Sequence, residues 1–300
     1  MAKLRQNHTR QGNGLQTSFR MVILVFVLLI AIVGGYYYLK ENYLTSAPTS
    51  IDMTPDYSLR TYLPTYTGEL VHHTYYSLSY VEKNEQAEWV AYMVDRAMLN
   101  VPNLDRYGHF DADVSVNSKS ANHNDYSNSG YTRGHLVPAG DMAFDSTAMR
   151  ESFLMSNISP QIREFNNGIW KELEENVRDW TYKAGKLYII SGPIFNDSIK
   201  KIGKGNKIAI PDAFFKVLLD FEDSEKKAIG FIIPNILSTN RIEEYMTTVD
   251  EIEKITGFDF FNDMINDEEE ERLESSFNKQ LWPVSDKRYQ LRINIWNNEK

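Results

Sequence analysis

The 300-residue chain contains no cysteine. That excludes disulfides, thiolate zinc sites and a cysteine nucleophile. Acidic residues are missing from positions 1–20, which carry Lys3, Arg5, Arg10 and Arg20 instead. Charge of either sign is missing from residues 21–39. An excess of positive charge is missing overall, and the net charge of −9 argues against a protein that coats nucleic acid, because coating replaces phosphate counterions with basic side chains. An enzyme that must release its product needs only a local positive site. Two common hydrolase signatures, Gly-x-Ser-x-Gly and His-Glu-x-x-His, are absent as well.

The uncharged run 21–39 is present in full and ends at Lys40. At about 1.5 Å per residue it spans the roughly 30 Å hydrocarbon core of a bilayer. Tyr36, Tyr37 and Tyr38 sit where an interfacial aromatic belt forms. The basic flank predicts an N-terminus inside and everything after Lys40 outside, as in an uncleaved signal anchor. A cleaved signal peptide, giving a secreted protein, is the rival. Its apolar region is normally shorter, about 7–15 residues, and the only tolerable cleavage site, Thr45-Ser46-Ala47, is followed by Pro48. An arginine-rich, acid-free start also resembles a mitochondrial address, which would turn "outside" into an intermembrane space. The organisation expected is a basic cytoplasmic N-terminus over 1–20, a transmembrane signal anchor over 21–39, a flexible Thr/Ser/Pro/Tyr-rich linker over 40–68 and one large domain over 69–300.

Within that domain, 75–81 and 89–94 are strand-like runs around the polar turn Lys83-Asn84-Glu85-Gln86. Residues 115–130, dominated by Ser, Asn and Asp, predict a loop, and Asp145 before Ser146 and Thr147 predicts a helix start. Ile169, Leu173, Val177, Trp180 and Ala184 recur at spacings of three and four, which predicts a helix over 166–184 with one buried face. Residues 187–191 read as a buried strand closed by Gly192-Pro193, and 214–221 with 228–233 as a hairpin. Thr248-Val249-Asp250-Glu251 is a capping box whose helix stops at Gly257. The acidic run 267–271 predicts a solvated surface loop. Hairpins alternating with capped helices indicate an α+β fold.

Chemistry concentrates between Tyr131 and Arg178. In a strand, Arg133 and His135 project from one face, and Gly134 between them lets backbone or substrate come close. Arginine offers a planar fork to phosphate oxygens, and neutral imidazole can take a proton from water. The plain alternative is a strand-end histidine satisfied by a backbone carbonyl. On the helix, Asn166, Trp170, Glu174 and Arg178 form a four-residue series on one stripe. Asn166 stands at the helix start, where anionic phosphate is welcome. It lies about 12 Å from Glu174 along the axis, so the two cannot easily be inner-sphere ligands of one ion. A hydrated Mg²⁺ held by Asn166 and its waters fits that spacing; a surface stripe with a Glu174–Arg178 pair is the alternative.

Arg133-Gly134-His135 with Pro138, Ser156-Asn157-Ile158 with Pro160-Gln161, and Asn166 through Leu173-Glu174 to Arg178 together resemble the sugar-non-specific DNA/RNA endonucleases, the ββα-metal nucleases that include endonuclease G. The resemblance continues in order through Gly192-Pro193, Ile210-Pro211-Asp212-Ala213 with Lys216, and Val249-Asp250-Glu251-Ile252-Glu253 with Thr256-Gly257. It implies a ββα-metal fold with a central, mainly antiparallel sheet flanked by helices. It also implies Mg²⁺, or Mn²⁺ in its place, and DNA and RNA as substrates. His135 would be the general base, Asn166 the direct metal ligand and Glu174 the holder of a metal-bound water. Asn157 would orient the histidine or the substrate, and Arg133 and Arg178 would neutralise phosphate. An upstream arginine of the family corresponds to Arg106. A homodimer is compatible with the resemblance, and an inhibitor partner is unspecified. Thr132 departs from the pattern, which has Asp at that position; the loss bears on the support of the strand end or on the histidine's pKa. Two further classes stay open: a degenerate nuclease fold that only binds nucleic acid, and a phosphodiesterase acting on another ester.

Overall fold

The computed structural model describes residues 14–39, 55, 57–221, 226–261 and 264–298. The chain divides into two units, 1–52 and 53–300. In the first, helix α1 (Gly14–Leu39) begins ahead of the apolar run. Its segment Met21–Tyr38 has a mean hydropathy of 2.4 and is long and apolar enough to cross a membrane. The expected cytoplasmic tail up to residue 13, most of the linker, and the loop 222–225 of the second hairpin lie outside the described residues.

The second unit is built on a seven-stranded antiparallel sheet. In spatial order its strands are β1 (Glu69–His72), β2 (Tyr76–Val81), β3 (Gln86–Asp95), β6 (Lys186–Ile194), β9 (Ala213–Asp220), β10 (Lys227–Pro234) and β11 (Met246–Thr247). Two short ladders stand apart from it, β4 (Thr132–His135) with β5 (Ile158–Gln161) and β7 (Lys201–Ile202) with β8 (Ile208–Ala209). The central strands read as continuous apolar runs because both faces of the sheet are covered. Val90, Tyr92, Leu187, Ile189, Phe214 and Leu218 pack into one core. Their alternating neighbours Trp89, Ala91, Tyr188, Ile190, Phe215 and Val217 pack into another on the opposite face.

Helices complete the two layers: α2 (Arg96–Asn100), α3 (Ser146–Ser152), α4 (Lys171–Ala184), α5 (Val249–Thr256), α6 (Asp267–Glu274) and α7 (Asp286–Asn294). The first core takes Leu173, Val177 and Trp180 from α4; the second takes Val249 and Ile252 from α5 and Leu273 from α6. The capping prediction holds at α3, where Asp145 accepts from Thr147 and Ala148 N–H, and half of the box expected at α5 forms, Thr248 accepting from Glu251 N–H.

Three expectations change. The acidic run is no loop but the first turn of α6, opened by Asn266 as N-cap. Four acids at the positive end of a helix dipole stabilise that end, an effect that a count of like charges misses. Ordered contacts also begin before Glu69. The Thr65 carbonyl accepts from Trp89 Nε1, Thr65 N–H donates to the Asp259 carbonyl, and the Tyr62 carbonyl accepts from Tyr188 Oη. The buried aromatic N–H and O–H need such partners, so part of the polar stretch taken for linker serves the core. Finally, the single helix expected over 166–184 is two pieces. A π-helical turn, Phe165–Trp170, with Gly168 outside helical geometry, precedes α4.

Candidate active site

Ribbon β4–β5 pairs Thr132 with Gln161, Gly134 with Ser159 and His135 with Ile158. Gly134 leaves room for a buried side chain: a Cβ there would stand 2.1 Å from Gln161 Cδ. After His135 the chain is clamped by Asn157. This fully buried amide accepts from Val137 N–H and donates to the Val137 and Ser152 carbonyls. Fully buried and bonded to the backbone just after His135, Asn157 is placed for the first of its two expected roles, orienting the histidine. Ser156 beside it donates to Asp113, which also bonds His73 Nε2 at 2.9 Å.

His135 is only 7% exposed. Phe153 stands edge-on to its ring at 4.8 Å and Phe110 lies 5.6 Å away. Its Nε2 is buried without a hydrogen-bond partner, so the plain reading of a carbonyl-satisfied histidine fails at that nitrogen. Burial, and then the charge of Arg106, lower its pKa to about 3. The imidazole is therefore neutral near pH 7 and able to accept a proton.

The opposite wall comes from the π turn and α4. Asn166 and Glu174 line the same cavity as His135, with Arg106, Arg178, Lys171 and the Pro138–Gly140 backbone, around about 310 Å³. The stripe expected from four-residue spacing does not survive intact, because Trp170 is buried beneath it with Nε1 directed 3.4 Å from the His135 carbonyl. The extra residue of the π turn displaces the side chains before it from those of α4. Asn166 donates one Nδ2 hydrogen to Thr132 Oγ1 at 3.0 Å, and its Oδ1 stays free of that bond. Arg178 lies 2.8 Å from Asp141 Oδ1. Desolvation works against the guanidinium's charge, yet Asp141 and Glu174 outweigh it and raise its pKa.

Beneath Glu174 lies Lys216, fully buried on β9, its Nζ without a hydrogen-bond partner and 4.8 Å from the Trp170 ring centroid. Burial raises the Glu174 pKa, and Lys216 and then Arg178 oppose it; burial lowers that of Lys216, and Glu174 opposes it. Neither Asp141 nor the role of Lys216 was visible as a function in sequence. Lys216 was legible only as part of a motif, because its charge sits within an apolar strand. Arg106 does line the cavity. Arg133 does not: its Nη2 donates to the His123 carbonyl and its Cζ lies 5.5 Å from the Phe110 ring, so Phe110 touches both it and His135.

The donor set suits a hard divalent ion. One carboxamide oxygen and one carboxylate in a wet cavity are what a cation that keeps much of its hydration shell accepts. Asn166, with one amide N–H donated to Thr132, keeps its Oδ1 available as an oxygen ligand. A two-stranded ribbon and a helix that bring a histidine, a carboxamide and a carboxylate to one cavity define the class as a ββα-metal nuclease fold.

Comparisons with known proteins agree. The family model described as DNA/RNA non-specific endonuclease matches residues 57–266. The mitochondrial nuclease EXOG of Danio rerio is 33% identical over 214 residues, 66% of this chain and 62% of the relative. A nuclease of Syncephalastrum racemosum is 32% identical over 217 residues, 65% of this chain and 68% of the relative. The mitochondrial endonuclease G of Caenorhabditis elegans is 30% identical over 225 residues, 66% of this chain and 73% of the relative. Among solved structures, the EndoG/EndoGI complex contains a chain that superposes with a TM-score of 0.62 at 28% identity, covering 67% of this chain and 88% of that one. The match spans 56–62% of the length of the EXOG relatives from fish, frog and mouse. This chain belongs to the DNA/RNA non-specific endonuclease family.

Proposed function

We propose that the protein is a membrane-anchored, Mg²⁺-dependent endonuclease that hydrolyses phosphodiester bonds of DNA and RNA with little sequence preference. The observation that carries this reading is the gathering of His135, Asn166, Glu174, Arg106 and Arg178 around one cavity. Asn166 Oδ1 and the Glu174 carboxylate would hold the ion with its water shell, and Mn²⁺ could take the same place. When bound, the ion supplies Lewis acidity toward the phosphate and the departing oxygen. Neutral His135 accepts the proton of the attacking water. A phosphate arriving beside Arg106 offsets that cation's field and lifts the histidine toward a more basic pKa. Arg106 and Arg178 hold the phosphate and stabilise the charge that builds on it. Arg133, outside the cavity, is left to a flanking phosphate. Phe110 and Phe153 keep bulk water off the base.

The test is degradation of plasmid DNA and of RNA by the full chain in detergent, with Mg²⁺ and then EDTA, beside His135→Ala and Asn166→Ala. Wild type should cut both substrates until the metal is removed, and His135→Ala should lose about 10²–10⁴-fold in rate. Equal inertness of wild type and both variants on both substrates would refute the nuclease reading.

The apolar window Met21–Tyr38 and the basic residues ahead of it support an anchor with the catalytic unit on the extracytoplasmic side. The mitochondrial relatives favour an intermembrane space as the second reading. Carbonate extraction and protease protection separate these: release of the protein by carbonate removes the anchor, and protection inside mitochondria selects the second compartment.

A further inference from the structure

On the face of the sheet opposite α4, helices α5 and α6 bring three carboxylates together. Asp250 and Glu253, three residues apart, share a face of α5, and Glu274 ends α6. One ligand oxygen from each lies within 4.8 Å of the others. Glu274 is 8% exposed, and its Oε1 is buried with no hydrogen-bond partner. Glu253 keeps one bond, accepting from Phe260 N–H at 2.9 Å. Among the described residues, the other charges acting most strongly on the three are also acids: Asp259, Glu270 and Glu271. Nearby bases are engaged elsewhere: Lys254 with Glu251, and Lys226 and Arg272 with Glu269. A nine-tenths-buried carboxylate aimed at two others, with no cation against it among the described residues, is unfavourable unless a proton or a metal ion joins it.

We propose that Asp250, Glu253 and Glu274 form a second cation site that takes calcium and ties α5 to α6. The site is separate from the phosphodiester cavity: Val249, Ile252 and Leu273 beside it pack into the second core, whereas α4 packs into the first. Its ligands are all oxygens, as a hard ion requires. Magnesium usually keeps several waters and is held by one or two carboxylates, whereas calcium accepts about six to eight oxygens in flexible geometry, so three protein carboxylates in one place suit calcium. With the three oxygens within 4.8 Å of one another, small side-chain adjustments bring all of them onto one ion. Without the ion, burial followed by neighbouring acids pushes the Glu274 pKa up to about 9 and that of Glu253 up to about 7. Calcium would displace those protons.

The test uses full-length protein in detergent, stripped with EDTA and titrated with CaCl₂ while thermal unfolding is followed. Asn166→Ala, which removes the proposed catalytic-metal ligand, isolates the second site. Calcium at about 100 times its Kd should raise the Tm of wild type and of Asn166→Ala by about 5 °C or more. Glu274→Gln in either background should abolish the shift; being isosteric and uncharged, it should fold. Equilibrium dialysis of ⁴⁵Ca²⁺ against Asn166→Ala should give one ion per chain, lost in Asp250→Asn. No calcium shift in wild type and Asn166→Ala, or an undiminished shift in Glu274→Gln, overturns the site. An equal shift with magnesium at the same concentrations overturns the choice of calcium.

Discussion

Thr132 Oγ1 accepts from Asn166 Nδ2 at 3.0 Å while donating to the Gln161 carbonyl at 2.8 Å. One hydroxyl thus joins the strand end to the π turn and decides which end of the Asn166 amide faces the cavity. A carboxylate, the family's usual group here, could accept from Asn166 but could not donate to Gln161. The substitution therefore changes the support of the proposed metal ligand rather than removing it.

Thr132→Val should raise the Mg²⁺ concentration for half-maximal activity by about 2–10-fold, the worth of one hydrogen bond, with kcat at saturating metal nearly unchanged. Thr132→Ser should restore the wild-type value. A Thr132→Val enzyme with the same metal dependence as wild type would show that the hydroxyl has no positioning role.

His135 gives a pH prediction. Its folded pKa is near 3 against an ordinary 6.5. Between those values the unfolded chain binds the extra proton, so stability falls as pH drops through the window and is restored as pH rises. From pH 7 to 5 this histidine should account for about 1–2 kcal/mol of lost stability. His135→Gln should lose correspondingly less in urea unfolding over that interval. An identical loss in both proteins would argue against neutral burial of the imidazole.

Lys216 opposes the burial that raises Glu174. Lys216→Met removes that opposition, so the Glu174 carboxylate should protonate at higher pH. The acid limb of kcat/KM at fixed Mg²⁺ should move upward by about one unit. An unmoved limb with an intact Tm would leave Lys216 a packing role only.

Arg292, fully buried, joins α7 to the back of α4. It bonds Glu172 through Nε and the Ser238 and Asn240 carbonyls at 2.5 Å through its terminal nitrogens. Arg292→Met leaves Glu172 buried without its cation and should cost about 3–5 kcal/mol in chemical denaturation. Adding Glu172→Gln should recover much of that loss; a double variant no more stable than the single would place the cost elsewhere.

Much of this fold is legible in local pattern. The runs at 214–221 and 228–233 become β9 and β10, and Leu173, Val177 and Trp180 mark the buried face of α4, because apolar spacing reports burial directly. Local pattern fails where helix capping, an irregular turn or a partner from another segment decides. The acids at 267–270 read as solvent loop until the helix dipole at Asn266 is counted. The four-residue stripe from Asn166 to Arg178 assumed one continuous helix, and the π turn places Trp170 in the core. Arg133, two residues from His135 on one strand, still lies outside the cavity, its guanidinium bonded to the His123 carbonyl and set against the Phe110 ring.

The order of motifs from Arg133 to Gly257 determined by itself the family, the sheet-and-helix architecture and most of the cavity's residues, since residue type and spacing carry that much. Tertiary structure alone decided the state of those groups. His135 is neutral because aromatic rings from distant segments desolvate it, and Asn166 presents oxygen because Thr132, 34 positions earlier, holds its nitrogen. Charge and orientation depend on what surrounds a group in space, and a linear sequence does not list neighbours.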